Sequence, residues 1–141
     1  MSELDLNSNH CFVCGPENPI GLKINFIIDD SDICRAEFTP AETHVGFQDT
    51  THGGIIFSLL DDVMANWLFL QDKVAQTAQS DLRYRKPLPI NTKVNIEGRC
   101  IKQKGKVVFM NGKVIEIGKR LPNENDLSIH LSTIFTENRL K

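Results

Sequence analysis

No excess of either charge runs through this 141-residue chain: 16 Lys+Arg oppose 18 Asp+Glu, a formal net charge of -2 at pH 7. That balance excludes the broad basic footprint of a generic nucleic-acid binder, while leaving room for a local basic patch facing an anionic ligand. Nor is there a hydrophobic run long enough to span a membrane. The most apolar stretch, residues 55–70, is interrupted by Asp61 and Asp62 and falls short of the ~20 apolar residues a span requires. The opening residues 1–10 are polar and carry Glu3 and Asp5, which is not the pattern of a secretory signal. A cytoplasmic location is expected, with Cys11, Cys14, Cys34 and Cys100 reduced. There is no internal repeat. At 40% hydrophobic and 24% charged residues, the composition excludes a disordered chain and suits one domain over residues 1–141. A chain of this size builds its core without disulfides or a structural metal.

What is present divides the chain simply. Residues 1–21 read as an irregular N-terminal segment punctuated by Gly15, Pro16, Pro19 and Gly21. Leu22, Ile24 and Phe26 alternate, so residues 22–28 are expected to be a strand. Asp29–Asp32 suit a hairpin turn and residues 33–38 a second strand. A loop over 40–51 precedes the one convincing helix, about residues 53–70. Its apolar residues cover nearly every face, and such a helix is buried on most sides. Residues 76–86, 93–104, 106–118 and 127–136 read as strands, with Lys104-Gly105-Lys106 as a turn and residues 120–126 as a mobile loop. The order is α+β: two strands, one buried helix, then antiparallel strands curving around it.

The chemistry concentrates at Thr51-His52-Gly53-Gly54-Ile55 and at Asp61. Two glycines stand where loop becomes helix. Helix starts expose unpaired N–H groups and partial positive charge, and glycine lets a ligand approach the backbone. The combination suits an oxyanion hole for a carbonyl under attack. Asp61 lies within the apolar helix, where a carboxylate is costly unless used or paired; it is a candidate general base or nucleophile. Gly53 and Asp61 are eight residues apart, ~12 Å along one helix axis, too far to serve one carbonyl. Antiparallel packing of two copies would bring Gly53 of one near Asp61 of the other, so a homodimer with composite sites is expected.

These residues resemble the hotdog-fold acyl-CoA thioesterases of the phenylacetate-pathway and 4-hydroxybenzoyl-CoA thioesterase group. The resemblance rests on His52-Gly53-Gly54 with an acid nine residues after the His. Cys11-Phe12-Val13-Cys14-Gly15 and Asn18-Pro19-Ile20-Gly21-Leu22 support it, as do Thr77 and Arg83-Tyr84-Arg85-Lys86-Pro87. It implies a hotdog fold, a long helix wrapped by a bent antiparallel sheet, in dimers that pair into tetramers. It implies hydrolysis of a small or medium acyl-CoA to free acid and CoA, with no cofactor. Gly53, with Gly54, would polarise the thioester carbonyl. Asp61 of the partner chain would activate water or attack directly, and Thr77 would orient the water or the acid. The family's frequent Asn or Gln six residues before the motif His is absent; that position is Gly46. His44, Gln48 and Asp49 are the nearby substitutes. A non-catalytic acyl-CoA-binding module is the alternative, and a hotdog dehydratase or hydratase finds no matching His and carboxylate.

Other residues have plainer readings. His52 is expected to position the helix start rather than act as a base. Asp62, about 100° round the helix from Asp61, is expected to be solvated or at an interface. Cys11-x-x-Cys14 is one thiol pair, and a structural zinc site takes four ligands; His10 and His44 would be needed to complete it, so two buried thiols and no metal are expected. Arg83, Arg85 and Lys86 are candidate contacts for the CoA phosphates, although Arg83 and Arg85 share one strand face and Lys86 the other.

Overall fold

The apolar run beyond His52 folds as a single long helix, α1 (Gly53–Phe69). The computed structural model describes residues 7–117 and 129–137. The helix ends as Asp72 turns to a left-handed φ of 62° and the Lys73 N–H returns to the Leu68 carbonyl at 3.1 Å, which satisfies one of the last carbonyls. Ile56, Leu59, Leu60, Val63, Met64, Trp67 and Leu68 are buried. The Trp67 indole N–H keeps a partner in the Asp32 carbonyl at 2.9 Å.

Among the described residues six antiparallel strands wrap this helix: β1 (Ile27–Ile28), β2 (Cys34–Phe38), β3 (Ala75–Tyr84), β4 (Val94–Lys104), β5 (Val107–Glu116) and β6 (Ile129–Glu137). Their order across the sheet is β1-β2-β4-β5-β6-β3, so β3 forms one edge. The expected architecture, one helix sheathed by an antiparallel sheet, is the one observed. Period-two burial explains the core: Val94 and Ile96 on β4, Val108, Met110 and Val114 on β5, and Ile129, Leu131 and Phe135 on β6 all face inward. Each such side chain contributes about 1.5–3 kcal/mol when fully buried.

Two glycines let the sheet approach the helix. Gly98 and Gly112 are paired across β4 and β5. A Cβ on Gly98 would lie 3.1 Å from the Val63 carbonyl carbon, and one on Gly112 3.2 Å from Leu60 Cδ2. No side chain could stand at Gly98 without moving helix backbone.

The first strand is shorter than the alternation predicts. Only Ile27–Ile28 pair with β2. The N–H groups of Leu22 and Ile24 instead reach the Phe12 and Val13 carbonyls, at 2.8 and 2.9 Å, and Lys23 takes a φ of 54°. Leu22 and Ile24 are thus bonded to the N-terminal segment rather than to the sheet, and Ile24 and Phe26 are still buried. The Asp29–Asp32 turn forms as expected, its Asp29 N–H bonded to the Ile33 carbonyl at 2.9 Å. A short 3-10 turn, Glu42–His44, interrupts the loop before α1. Gly105 makes the β4–β5 turn with a φ of 58°. The loop expected at 120–126 lies outside the described residues. Among the described residues no helix is long and apolar enough to cross a membrane.

Candidate active site

The start of α1 is held from three sides. His52 is its cap: Nδ1 accepts the Gly54 N–H at 2.8 Å, as a polar side chain does for an orphan helical donor. The Gly54 N–H is therefore occupied by His52 in this arrangement. The Gly53 N–H has no protein partner among the described residues and is the donor left open. The Tyr84 hydroxyl donates to the Gly53 carbonyl at 2.6 Å, and a Cβ on Gly53 would lie 3.3 Å from that hydroxyl. Tyr84 is a residue that reading for chemistry passes over; its being the sole tyrosine, between two arginines, was the available signal. Burial pushes its phenol above the usual range.

The loop leading to the helix is stapled to the chain after β3. The Thr51 N–H donates to the Leu88 carbonyl at 2.8 Å and the Ile90 N–H to the Asp49 carbonyl at 3.0 Å, while within the loop the His52 N–H donates to the His44 carbonyl at 2.8 Å. A cavity of about 340 Å³ opens here, lined by Gly46, Phe47, Thr50, Thr51, His52 and Gly53. Among the described residues the buried Thr51 hydroxyl has no hydrogen-bond partner, and Phe47 stands 87% exposed at the rim. Gly46 has little room for a larger residue: a Cβ would sit 3.1 Å from His52 Cα. Of the three nearby substitutes, His44 is engaged, its Nδ1 accepting the Ala41 N–H at 2.8 Å while its ring packs on Phe38. Asp49 adopts a turn conformation with φ 60°, and Gln48 is exposed.

Two turns further along α1, Asp61 is half-buried. The Thr77 hydroxyl of β3 donates to Asp61 Oδ1 at 2.6 Å, short enough to mark a charge-assisted bond. The register shift in the β3–β6 ladder falls between Thr77 and Gln79, and bulges of this kind re-aim side chains. The fold thus brings Asp61 and Thr77 together, and groups His52, Gly53 and Gly54 at a second point on the same helix, eight residues away.

Arg83, Arg85 and Lys86 are all exposed. Arg83 lies on β3 one residue before Tyr84. Lys86 borders a hollow with Pro87, Leu88 and Glu116.

Asp62 corrects the expectation of a solvated or interfacial residue. It turns toward the N-terminal segment, where the Cys11 thiol approaches Oδ1 at 3.6 Å and the Asn66 amide donates to Oδ2 at 3.0 Å. Burial raises its pKa above the ordinary carboxylate range. Burial also pushes the Cys14 thiol up to about 12, with the Asp62 charge adding to the effect. His10 points away to Glu17, 3.5 Å distant. Neither histidine joins the thiols, so the ligand set considered from sequence does not assemble.

Residues 48–122 match the family model described as the thioesterase superfamily. No functionally curated protein matches the sequence. Among solved structures, a thioesterase superfamily protein superimposes with a TM-score of 0.80 at 22% identity, over 91% of this chain and 63% of the longer neighbour. A hypothetical thioesterase of Streptococcus pneumoniae TIGR4, solved with coenzyme A, gives 0.70 at 16% identity over 81% of this chain and 87% of its own. A Streptococcus mutans UA159 protein bound to acetyl CoA gives 0.70 at 16% identity, over 82% and 88% respectively. The pneumococcal protein has also been solved with one threonine, and separately with one aspartate, replaced by alanine. These likenesses make the fold the hotdog fold.

Proposed function

The chain belongs to the thioesterase superfamily, and from that premise we propose that it hydrolyses a small or medium acyl-CoA at a site shared between two copies of the chain. The observation that carries this reading is the 2.6 Å bond between Thr77 and Asp61: a half-buried carboxylate with a hydroxyl set to orient it, or the water it activates. In the pneumococcal neighbour the replaced aspartate and threonine are 16 residues apart, the separation of Asp61 and Thr77. Coenzyme A and acetyl CoA in two neighbours support the substrate class.

The steps follow from the groups present. The open Gly53 N–H, reinforced by the positive end of α1, donates to the thioester oxygen and stabilises the charge that develops there. Gly54 keeps the approach to that N–H clear, and its own N–H is held by His52. Asp61 takes a proton from water as the water oxygen bonds to the carbonyl carbon, and returns it to sulfur as the C–S bond breaks, so that CoA leaves as a thiol and the acid is released. If Asp61 attacks the carbon itself, the C–S bond breaks to give an acyl-Asp61 anhydride and a CoA thiolate, which takes a proton from solvent; water then cleaves the anhydride, releasing the acid and restoring the carboxylate. Thr77 holds Asp61 in place. Arg83, Arg85 and Lys86 are the cations offered to the CoA phosphates, and Gln48 is the exposed amide nearest the motif.

The ~12 Å between Gly53 and Asp61 along α1 supports a site built from two copies, since one carbonyl does not reach both groups of one chain. Strand β3 is a sheet edge with Gln76–Gln79 exposed, and an unpaired edge of this length invites pairing with a second chain. Two β3 strands joined antiparallel would continue the sheet and set the helices antiparallel. Further pairing of dimers into a tetramer remains compatible with this arrangement.

One observation favours a second reading. Position 46 lacks the amide the family often uses, and it is cramped against His52, as suits a module that binds an acyl-CoA without cleaving it. A panel of acyl-CoAs followed by free-thiol release separates the two. Release that is lost in Asp61→Asn is the expected result. Tight binding with no release, unchanged in Asp61→Ala, would establish the binding module instead.

A further inference from the structure

The N-terminal cysteines and the neglected half of the Asp61-Asp62 pair meet in a cavity of about 110 Å³ between the N-terminal segment and α1. The two sulfurs and an Asp62 oxygen all lie within 4.8 Å of one another. From this juxtaposition we propose that Cys11, Cys14 and Asp62 bind one zinc ion, or a similarly thiophilic divalent cation, in a site separate from the thioesterase centre.

The chain builds the site from both sides. Cys11-Phe12-Val13-Cys14-Gly15 is a tight turn closed by the Gly15 N–H on the Cys11 carbonyl at 2.9 Å. A Cβ on Gly15 would fall 2.4 Å from the Cys11 nitrogen, so only glycine permits the turn that presents both sulfurs together. From the helix, Asn66 is one turn beyond Asp62 and buried. Its amide donates to the Asp62 carboxylate at 3.0 Å and to the Asp62 carbonyl at 2.9 Å, and stands 3.8 Å from Cys14 Sγ. That is the outer support a ligating carboxylate needs to hold its orientation.

The spacing and donor types choose the ion. Zinc bonds of about 2.3 Å to sulfur and 2.0 Å to oxygen, at tetrahedral angles, leave S and O about 3.5 Å apart. Cys11 Sγ and Asp62 Oδ1 already stand 3.6 Å apart. Thiolates discriminate against magnesium and calcium, which take oxygen ligands. On binding, each thiol releases its proton to solvent as its sulfur–metal bond forms. Two thiolates, one carboxylate and a dication then sum to one negative charge, and Lys73 lines the same cavity to offset it. No fourth His, Cys, Asp or Glu joins the cluster among the described residues, so water completes the coordination. The ion would pin the N-terminal segment to α1 at the residue after Asp61.

The test is a cobalt(II) titration of the full-length, reduced, chelator-treated protein, followed by displacement with zinc. The expected result is one equivalent of cobalt with thiolate-to-metal charge-transfer absorption and tetrahedral visible bands, abolished by zinc. Cys11→Ser with Cys14→Ser should remove the charge-transfer band, and Asp62→Asn should weaken zinc binding at least tenfold. Absence of that band in the wild-type protein overturns the proposal, as does a band unchanged in the double serine variant. The wild-type spectrum decides thiolate ligation by itself, so the proposal stays testable if a variant folds poorly. None of these readouts depends on acyl-CoA hydrolysis.

Discussion

Asp61 and Asp62 are neighbours in sequence and face different parts of the molecule. Asp61 accepts the Thr77 hydroxyl at 2.6 Å on the sheet-edge side, while Asp62 meets Cys11 at 3.6 Å under the N-terminal segment. A helix rotates about 100° per residue, and that single step separates a carboxylate bonded to the sheet-edge strand from one enclosed beside thiols.

Loss of the Asp61 charge should abolish most of the chemistry and leave the fold. Asp61→Asn is expected to lower kcat about 10²–10⁴-fold, the range for a positioned acid–base group. Thr77→Ala should fall less, because a water can take the hydroxyl's place beside the carboxylate. Steady-state thiol release, with thermal unfolding as the folding control, measures both. Equal losses in the two variants would make Thr77 more than an orienting group.

The Tyr84 hydroxyl is bonded to the Gly53 carbonyl, so Tyr84 is expected to act through Gly53. Removing its hydroxyl in Tyr84→Phe frees the helix start without touching the Gly53 N–H. The expected effect is a fall in kcat of about tenfold with KM little changed, well short of the 10²–10³ lost when an oxyanion donor itself is removed. A change confined to KM would place Tyr84 in substrate binding instead.

Gly98→Ala tests how closely the sheet grips the helix. The added methyl would meet Val63 backbone at 3.1 Å, and backbone cannot rotate away as a side chain does. A loss of about 1–3 kcal/mol is expected, the usual cost of overpacking. Denaturant unfolding should show a lower midpoint at unchanged slope. Gly112→Ala faces flexible Leu60 and Met64 side chains and should cost less.

His44 links the loop to pH. Burial holds its imidazole below the usual pKa, and its Nδ1 accepts the Ala41 N–H, which the protonated ring cannot do. A folded pKa below the unfolded one means the stabilisation is complete above the ordinary imidazole value of about 6.5 and is lost as pH falls through the folded value. Thermal midpoints measured downward from about pH 7.5 to 5 should therefore decline, and the decline should be shallower in His44→Asn, which keeps an acceptor without a titrating ring. Identical pH profiles would remove His44 from this role.

Much of this was legible from the residues. The apolar run after His52 announced a sheathed helix because no exposed helix carries Leu59, Leu60, Val63, Met64 and Leu68 together. Its start and end were readable to within a residue, since Gly53-Gly54 and the polar Gln71-Asp72 punctuate it. The Lys104-Gly105-Lys106 turn located β4 and β5 on either side of it. What escaped was whatever depends on distant partners. Leu22 and Ile24 alternate like a strand, but their N–H groups are bonded to Phe12 and Val13. Tyr84 matters through a residue 31 positions away. Asp62 gained its thiol neighbours across 51 residues, and no local pattern encodes such a meeting. The glycines Gly98 and Gly112 look like weak points in strands until the helix is seen lying on them.

The most direct test of the proposed shared site is complementation between two inactive chains. Asp61→Asn retains Gly53, and Gly53→Val retains Asp61. Co-expressed and purified as the mixed dimer through distinct tags, they rebuild one intact site from a Gly53 of one chain and an Asp61 of the other. The account predicts acyl-CoA hydrolysis by the mixed dimer that neither parent shows. A mixed dimer as inactive as its parents, beside an active wild-type protein, would contradict it.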